Sequence, residues 1–281
     1  MSAGDEAVEG NKMPLLDHLI ELRQRLFYSM IGLVVAFVVC FYFAQDLYNF
    51  LVQPLANLLL DQGTEVNGVY MQPENQPPPR MIFTDLTEVF FTYIKVAFFF
   101  AAFIMCPLFL AQLWLFIAPG LYRNEKQALA PFLIASPLLF LLGASLVYFV
   151  ILPFAWDFFL QFQTPGGEDT LAIQLEAKVA EYLSLTMKLL FAFGLCFQLP
   201  VIMTLLARVG LASSQGMREK RKYAIVGVFV VAAIFTPPDP LSQISLAIPI
   251  IGLYEISIHM ARLVEKKRAE REAELDRELD E

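Results

Sequence analysis

The chain has 281 residues, 57% of them hydrophobic, 14% aromatic and only 17% charged. A soluble domain carries about a quarter charged residues; here the mean hydropathy is +0.57 and the charges are confined to short segments, which excludes an ordinary water-soluble globule. The net charge of −8 identifies no partner, because in a membrane protein the placement of charge matters more than its sum.

A helix needs ~20 apolar residues to cross a bilayer core. The sequence therefore reads as an all-α integral membrane protein with six transmembrane helices, about 26–44, 94–118, 128–152, 186–207, 223–235 and 241–260. Residues 1–261 form one polytopic membrane domain, and the charged segment 262–281 is expected to be a solvated, partly helical tail. Residues 1–14 are acidic and polar, and no small-residue cleavage site follows the first apolar run, so no cleavable signal peptide is expected. Cys40, Cys106 and Cys196 each stand inside an apolar run without a CxxC pattern, which reads as buried thiols and not as a disulfide or metal site. No cofactor is expected.

From the N-terminus, Leu15, Leu19, Leu22 and Leu26 fall on one helical stripe, and Asp17, Glu21 and Gln24 on another. This pattern predicts an interfacial helix lying on the membrane surface and leading into the first span. Between the first and second spans, Leu47–Leu60 is too short to cross and is expected to form an interfacial or cap helix. A Gly/Pro-rich loop follows, ending in Pro77-Pro78-Pro79-Arg80. Between the third and fourth spans, Thr164-Pro165-Gly166-Gly167 predicts a turn, and Thr170–Tyr182 a short helix. The fifth span reaches only about 20 Å at ~1.5 Å per residue, short of a ~30 Å core, and is expected to be shielded by neighbours or to sit in thinned bilayer.

Orientation follows from Lys and Arg. Lys12, Arg23 and Arg25, then Arg123 and Lys126, five residues between 208 and 222 and six from Arg262 onward make sixteen of the twenty. The other four are Arg80, Lys95, Lys178 and Lys188. The positive-inside rule makes the rich side cytoplasmic, giving cytoplasmic N- and C-termini and a cytoplasmic loop after the second span.

The sequence offers no enzyme. Its two histidines, His18 and His259, stand at opposite ends of the chain, and HExxH, GxSxG, P-loop and dinucleotide-binding patterns are missing. Two carboxylates at the cytoplasmic interface carry more interest. Glu21 stands four residues before Arg25, which alone reads as a local ion pair. Glu125, in the tight loop within Gln112–Lys126, stands between Arg123 and Lys126, which alone reads as a solvated charge. Taken together they offer an acceptor for two guanidinium groups, whose planar forks match carboxylates in a way lysine does not.

The segments HLIELRQRL (18–26), WLFIAPGLYRNEK (114–126) and TPPDPLSQ (236–243), in this order among six spans, resemble the TatC family, the multispanning receptor subunits of the twin-arginine protein translocase. The resemblance covers about residues 13–260. It implies a protein of the bacterial cytoplasmic (inner) membrane that binds the Arg-Arg signal peptides of folded precursors. It also implies a multimeric complex with the single-span proteins TatA and TatB, embedded in membrane lipid, with export driven by the proton-motive force and no role for nucleic acid. On the matching motifs, it assigns Glu21, Arg23, Phe116, Pro119, Leu121, Tyr122 and Glu125 to signal-peptide binding. Pro54, Phe90, Phe91, Lys95, Gln198, Thr236, Asp239 and Gln243 go to partner contacts and translocation.

Gln198 departs from relatives that carry Glu there. An amide transfers no proton, so a hydrogen-bonding role is expected, with Pro200 freeing a nearby carbonyl for it. The rival reading, a secondary transporter of a small solute or ion, has only Gln198, Lys95 and Lys188 to line a path, and no internal repeat supports it.

Overall fold

The computed structural model describes residues 15–61, 64–66, 69–71, 80–117, 130–164, 171, 173, 175–236 and 240–280. Helix α1 runs Leu15–Tyr42 without a break. Neither Gly nor Pro occurs between Leu15 and Ile31, so nothing stops the amphipathic turns from continuing into the apolar ones. The expected interfacial helix is therefore the first part of the spanning helix and not a separate element. A single turn at Phe43 leads to α2, Ala44–Asp61, the expected cap helix. The loop after it holds a small antiparallel hairpin, β1 (Thr64–Val66) and β2 (Val69–Met71).

Helix α3 is Glu88–Ile117. Helix α4 (Ala130–Leu146) passes through a π-helical turn at Val147–Ile151 into α5, Leu152–Leu160. The turn has a cause in Pro153, which has no N–H to give the Phe149 carbonyl; the Leu152 amide reaches back instead to Val147, five residues away. Helices α6 (Val179–Cys196) and α7 (Leu199–Arg208) form one span kinked ahead of Pro200. Helix α8 is Ser214–Glu219, α9 is Arg221–Phe235, and α10 is Pro240–Asp280.

Among the described residues, five helical segments are long and apolar enough to cross a membrane. The fifth span of the sequence reading is the exception: α9 has 15 residues, as its short apolar run indicated. The expected helix over Thr170–Tyr182 is not formed, since α6 starts at Val179. Ile173 instead makes an antiparallel bridge with Thr164, and Lys178 a parallel one with Ile82. The reason lies in the period: LAIQLEAK alternates every second residue, a strand pattern and not a helical one.

Two antiparallel helix pairs set the architecture. In the first, Arg25, Gly32 and Phe37 of α1 meet Gln112, Met105 and Phe98 of α3 in reverse order. In the second, Ser136, Phe140 and Gly143 of α4 meet Gln198, Gly194 and Phe193 across the α6–α7 span. Helices gain nothing from the hydrophobic effect when they associate in lipid, so close backbone approach and interhelical hydrogen bonds carry the association. Gly143 and Gly194 permit that approach. A Cβ at Gly143 would stand 2.7 Å from the Phe193 carbonyl oxygen, and one at Gly194 would stand 2.5 Å from the Phe140 ring.

Beyond its apolar part α10 continues as a helix through Asp280; Arg262 and residues 266–270 are exposed, while one side of its first charged turns is held against α8 and α9. Glu265 accepts hydrogen bonds from the Ser214 amide (2.7 Å) and hydroxyl (2.5 Å) at the start of α8. Arg221 pairs with Glu255 at 2.6 Å, and Tyr254 donates to the Met217 carbonyl at 2.8 Å.

Candidate functional site

The two segments expected to bind a signal peptide belong to neighbouring helix ends. Arg25 Nη1 donates to Gln112 Oε1 at 2.8 Å, locking the start of α1 against the end of α3. The antiparallel register carries on from there: Glu21 stands one turn before Arg25, and Phe116 one turn after Gln112. Their backbones are helical, while their side chains lie outside the described residues. So do Pro119, Leu121, Tyr122 and Glu125, in the connection that leaves α3 within two turns of Gln112. Arg23 is exposed on α1. The Arg25–Gln112 bond was not legible as a site feature, because it joins helices through tertiary packing alone.

Pro54 is buried in the interior of α2. With no N–H, it leaves the Phe50 carbonyl without its helical donor. Tyr148, in the π turn, supplies the replacement: its hydroxyl donates to Phe50 O at 2.7 Å, and its ring stacks on Phe50 with centroids 4.5 Å apart. Tyr182 donates to the adjacent Leu51 carbonyl at 3.0 Å. Pro54 thus opens one carbonyl to Tyr148, and Tyr182 adds a second hold on the cap helix. Tyr148→Phe removes the donor to the Phe50 carbonyl, a hydrogen bond with a net worth of about 0.5–1.5 kcal/mol; the expected result is a lower unfolding temperature in detergent, whereas Tyr28→Phe, at an exposed position on α1, leaves it unchanged.

Gln198 is 2% exposed, and both ends of its amide are used inside the bundle. Its Oε1 accepts from the Ser136 hydroxyl, and its Nε2 donates to the Ser136 carbonyl at 2.8 Å. The acceptor is thus on α4, across the helix interface, and not a carbonyl freed by Pro200. A partner helix would have to displace Ser136 to reach this amide. Interhelical hydrogen bonds in membranes are worth about 0.6 kcal/mol and at most about 1.7. Gln198→Leu and Ser136→Ala should each destabilise by about that amount, and the double variant by no more than the larger single one; denaturation in detergent micelles reads this non-additivity.

At the far end of the bundle, Thr236 donates back to the Ala232 carbonyl at 2.9 Å and closes the end of α9, while Gln243 donates across to the Phe229 carbonyl at 3.0 Å and ties α10 to α9. Asp239 lies outside the described residues. Phe90, Phe91 and Lys95 are exposed on the first turns of α3. Beside them stands a residue that sequence reasoning passed over. Glu88 accepts from the Thr84 amide at 2.9 Å and from the Ala180 amide at 3.2 Å, so one carboxylate caps the starts of α3 and α6. Lys178, the N-cap of α6, makes no side-chain cap of its own. An acidic residue in a first helical turn is a visible signal; its second client, 92 positions away, is not. Among the described residues no group of His, Cys, Asp and Glu could hold a metal ion.

The family model for the Sec-independent protein translocase protein TatC matches residues 17–249, which include both halves of the near-end site and stop within α10. The chain belongs to the TatC family. Its relatives include the Sec-independent protein translocase proteins TatC of Magnetococcus marinus, 45% identical over 93% of this chain and 89% of the relative, and of Escherichia coli K12, 39% identical over 92% of each. A crystal structure of the twin-arginine translocase receptor TatC superposes with a TM-score of 0.70 at 35% identity, covering 88% of this chain and 99% of that one. A second, of the receptor in DDM, gives 0.71 at 36% identity over 87% and 99%. The chain is accordingly a multi-pass membrane protein of a translocase family, not an enzyme, and membership implies a Tat translocase complex with other Tat components.

Proposed function

We propose that this chain is the receptor of a twin-arginine translocase in a bacterial inner membrane, with six spans and both termini in the cytoplasm. The observation that supports it most is the antiparallel seating of α1 on α3. Through the Arg25–Gln112 bond it holds the turn bearing Glu21 beside the helix end that leads to Glu125. Two carboxylates on one rim then receive the paired arginines of a signal peptide, while Arg23, Phe116, Pro119, Leu121 and Tyr122 shape the surroundings. The signal's hydrophobic stretch lies along the exposed apolar faces of α1 and α3. Sixteen of the twenty Lys and Arg residues fall on this side in the six-span reading, which supports its cytoplasmic placement.

The same reading places TatA and TatB, in a multimeric complex, at the exposed Phe90, Phe91 and Lys95 and around Thr236, Asp239 and Gln243. Export is driven by the proton-motive force. Supplying the chain to a bacterium that lacks its own TatC tests this directly. Export of precursors with Arg-Arg signals should resume while general secretion is unaltered; precursors that stay in the cytoplasm although the chain is inserted would count against the reading.

A further inference from the structure

One surface at the far end has no place in signal recognition. Leu171, Ile173 and Leu175 are 91%, 60% and 42% exposed, and in extended chain, alternate residues share a face. Ile173 and Thr164 exchange both backbone hydrogen bonds, at 2.9 and 3.0 Å. Phe162, two residues before Thr164 at the end of the helical turn, is 62% exposed. Four large exposed apolar side chains thus stand near one backbone bridge. Scattered apolar residues on a surface need no explanation, but a contiguous apolar patch does.

Farther along, the same segment is fastened to protein. Ile82 bonds the Ala177 carbonyl and the Val179 amide, both at 3.0 Å, and Glu176 pairs with Arg80 at 3.6 Å. The apolar face is therefore held in a fixed direction with no protein over it among the described residues.

We propose that this segment is an interfacial anchor, with its apolar face seated among the acyl chains just under the lipid headgroups at that end of the bundle. Continuity with the lipid-facing surface names the occupant. Phe154 and Phe158 on α5 and Phe162 in the turn after it follow one another at a spacing of four, the Phe158 and Phe162 rings lie 5.2 Å apart, and the stripe ends two residues before Thr164, which bridges Ile173. Depth agrees. The candidate span Phe132–Leu160 has 29 residues, about 43 Å at ~1.5 Å per residue, against a ~30 Å hydrocarbon core within ~40–45 Å of total bilayer. Its end, and the segment attached to it, reach the headgroup boundary, where apolar faces sink about 5–10 Å. The anchor holds the connection between the third and fourth spans flat on the membrane, and does not depend on what the other end of the bundle binds.

Spin labels on single cysteines, introduced into the full chain with its three native cysteines replaced and reconstituted in lipid nanodiscs, test the proposal. Labels at 171, 173 and 175 should collide with oxygen several-fold more, relative to a water-soluble nickel chelate, than labels at 176 and 181. A ratio at 171 and 173 equal to that at 176 places the segment in water and overturns the proposal. Exclusion of both reagents shows a protein surface over the patch, a docked partner or a second copy, and overturns it equally. As a second reading, a variant carrying Leu171→Asp and Ile173→Asp should unfold at the wild-type temperature in detergent but lower than wild type in nanodiscs; equal temperatures in both media also contradict the anchor.

Discussion

Glu125→Lys should abolish binding of twin-arginine signal peptides while the chain still inserts and folds. Hydrogen bonds to charged groups contribute about 1.5–3 kcal/mol, so Glu125→Ala alone should weaken binding about 10- to 100-fold at ~1.4 kcal/mol per decade. The lysine variant adds repulsion at the same spot and should exceed 100-fold, on the order of 3 kcal/mol or more. Glu21→Ala should cost less than Glu125→Ala, because Glu21 shares its helix with Arg25, whose side chain bonds Gln112 and stays in place. Titration of the purified chain in nanodiscs with a labelled signal peptide reads all three. Wild-type affinity in Glu125→Lys would remove Glu125 from the site.

Gly143→Val should be the most damaging single change in the bundle interior. The new Cβ would stand 2.7 Å from the Phe193 carbonyl oxygen and 2.8 Å from the Phe197 ring. A flexible side-chain tip could yield, but here one obstacle is backbone and the other a buried ring. Overpacking of a filled interior costs about 1–3 kcal/mol. The displacement also pulls α4 from α6 where Ser136 and Gln198 hold each other, so loss of that pair adds to the cost. A melting temperature several degrees lower in detergent is expected. Gly227→Ala provides the contrast: nothing lies within 4 Å of its added Cβ, and replacing Gly by Ala in a helix favours the helix by about 1 kcal/mol. Equal melting of Gly143→Val and wild type would refute the close approach of these helices.

Much of the architecture was legible because bilayer thickness sets a length that apolar runs must meet. The short run 223–235 announced a short α9, whereas the break between α6 and α7 ahead of Pro200 was not drawn from that proline. Misreadings came from period and from continuity. LAIQLEAK alternates, yet a helix was expected where the chain instead makes single bridges to Thr164 and Ile82; and the amphipathic stretch 13–26 was given its own helix although from Leu15 it runs unbroken into the span. What stayed invisible is pairing across helices. Nothing local tells that Glu88 caps α6, that Tyr148 serves the carbonyl left free by Pro54, or that Gln198 spends its amide on Ser136. The candidate site itself divides the same way: the motifs named Glu21 and Glu125, and the α1–α3 register seats the start of α1 against the end of α3.

The most direct test of that rim compares peptides instead of proteins. A signal peptide with Arg-Arg and the same peptide with Lys-Lys are titrated against the wild-type chain and against Glu21→Gln/Glu125→Gln. Lysine matches the charge but not the bidentate geometry, so wild type should prefer the arginine peptide at least about tenfold, ~1.4 kcal/mol, and the double variant should bind the two equally. An arginine preference that survives intact in the double variant would show that the guanidinium pair is read elsewhere on the protein.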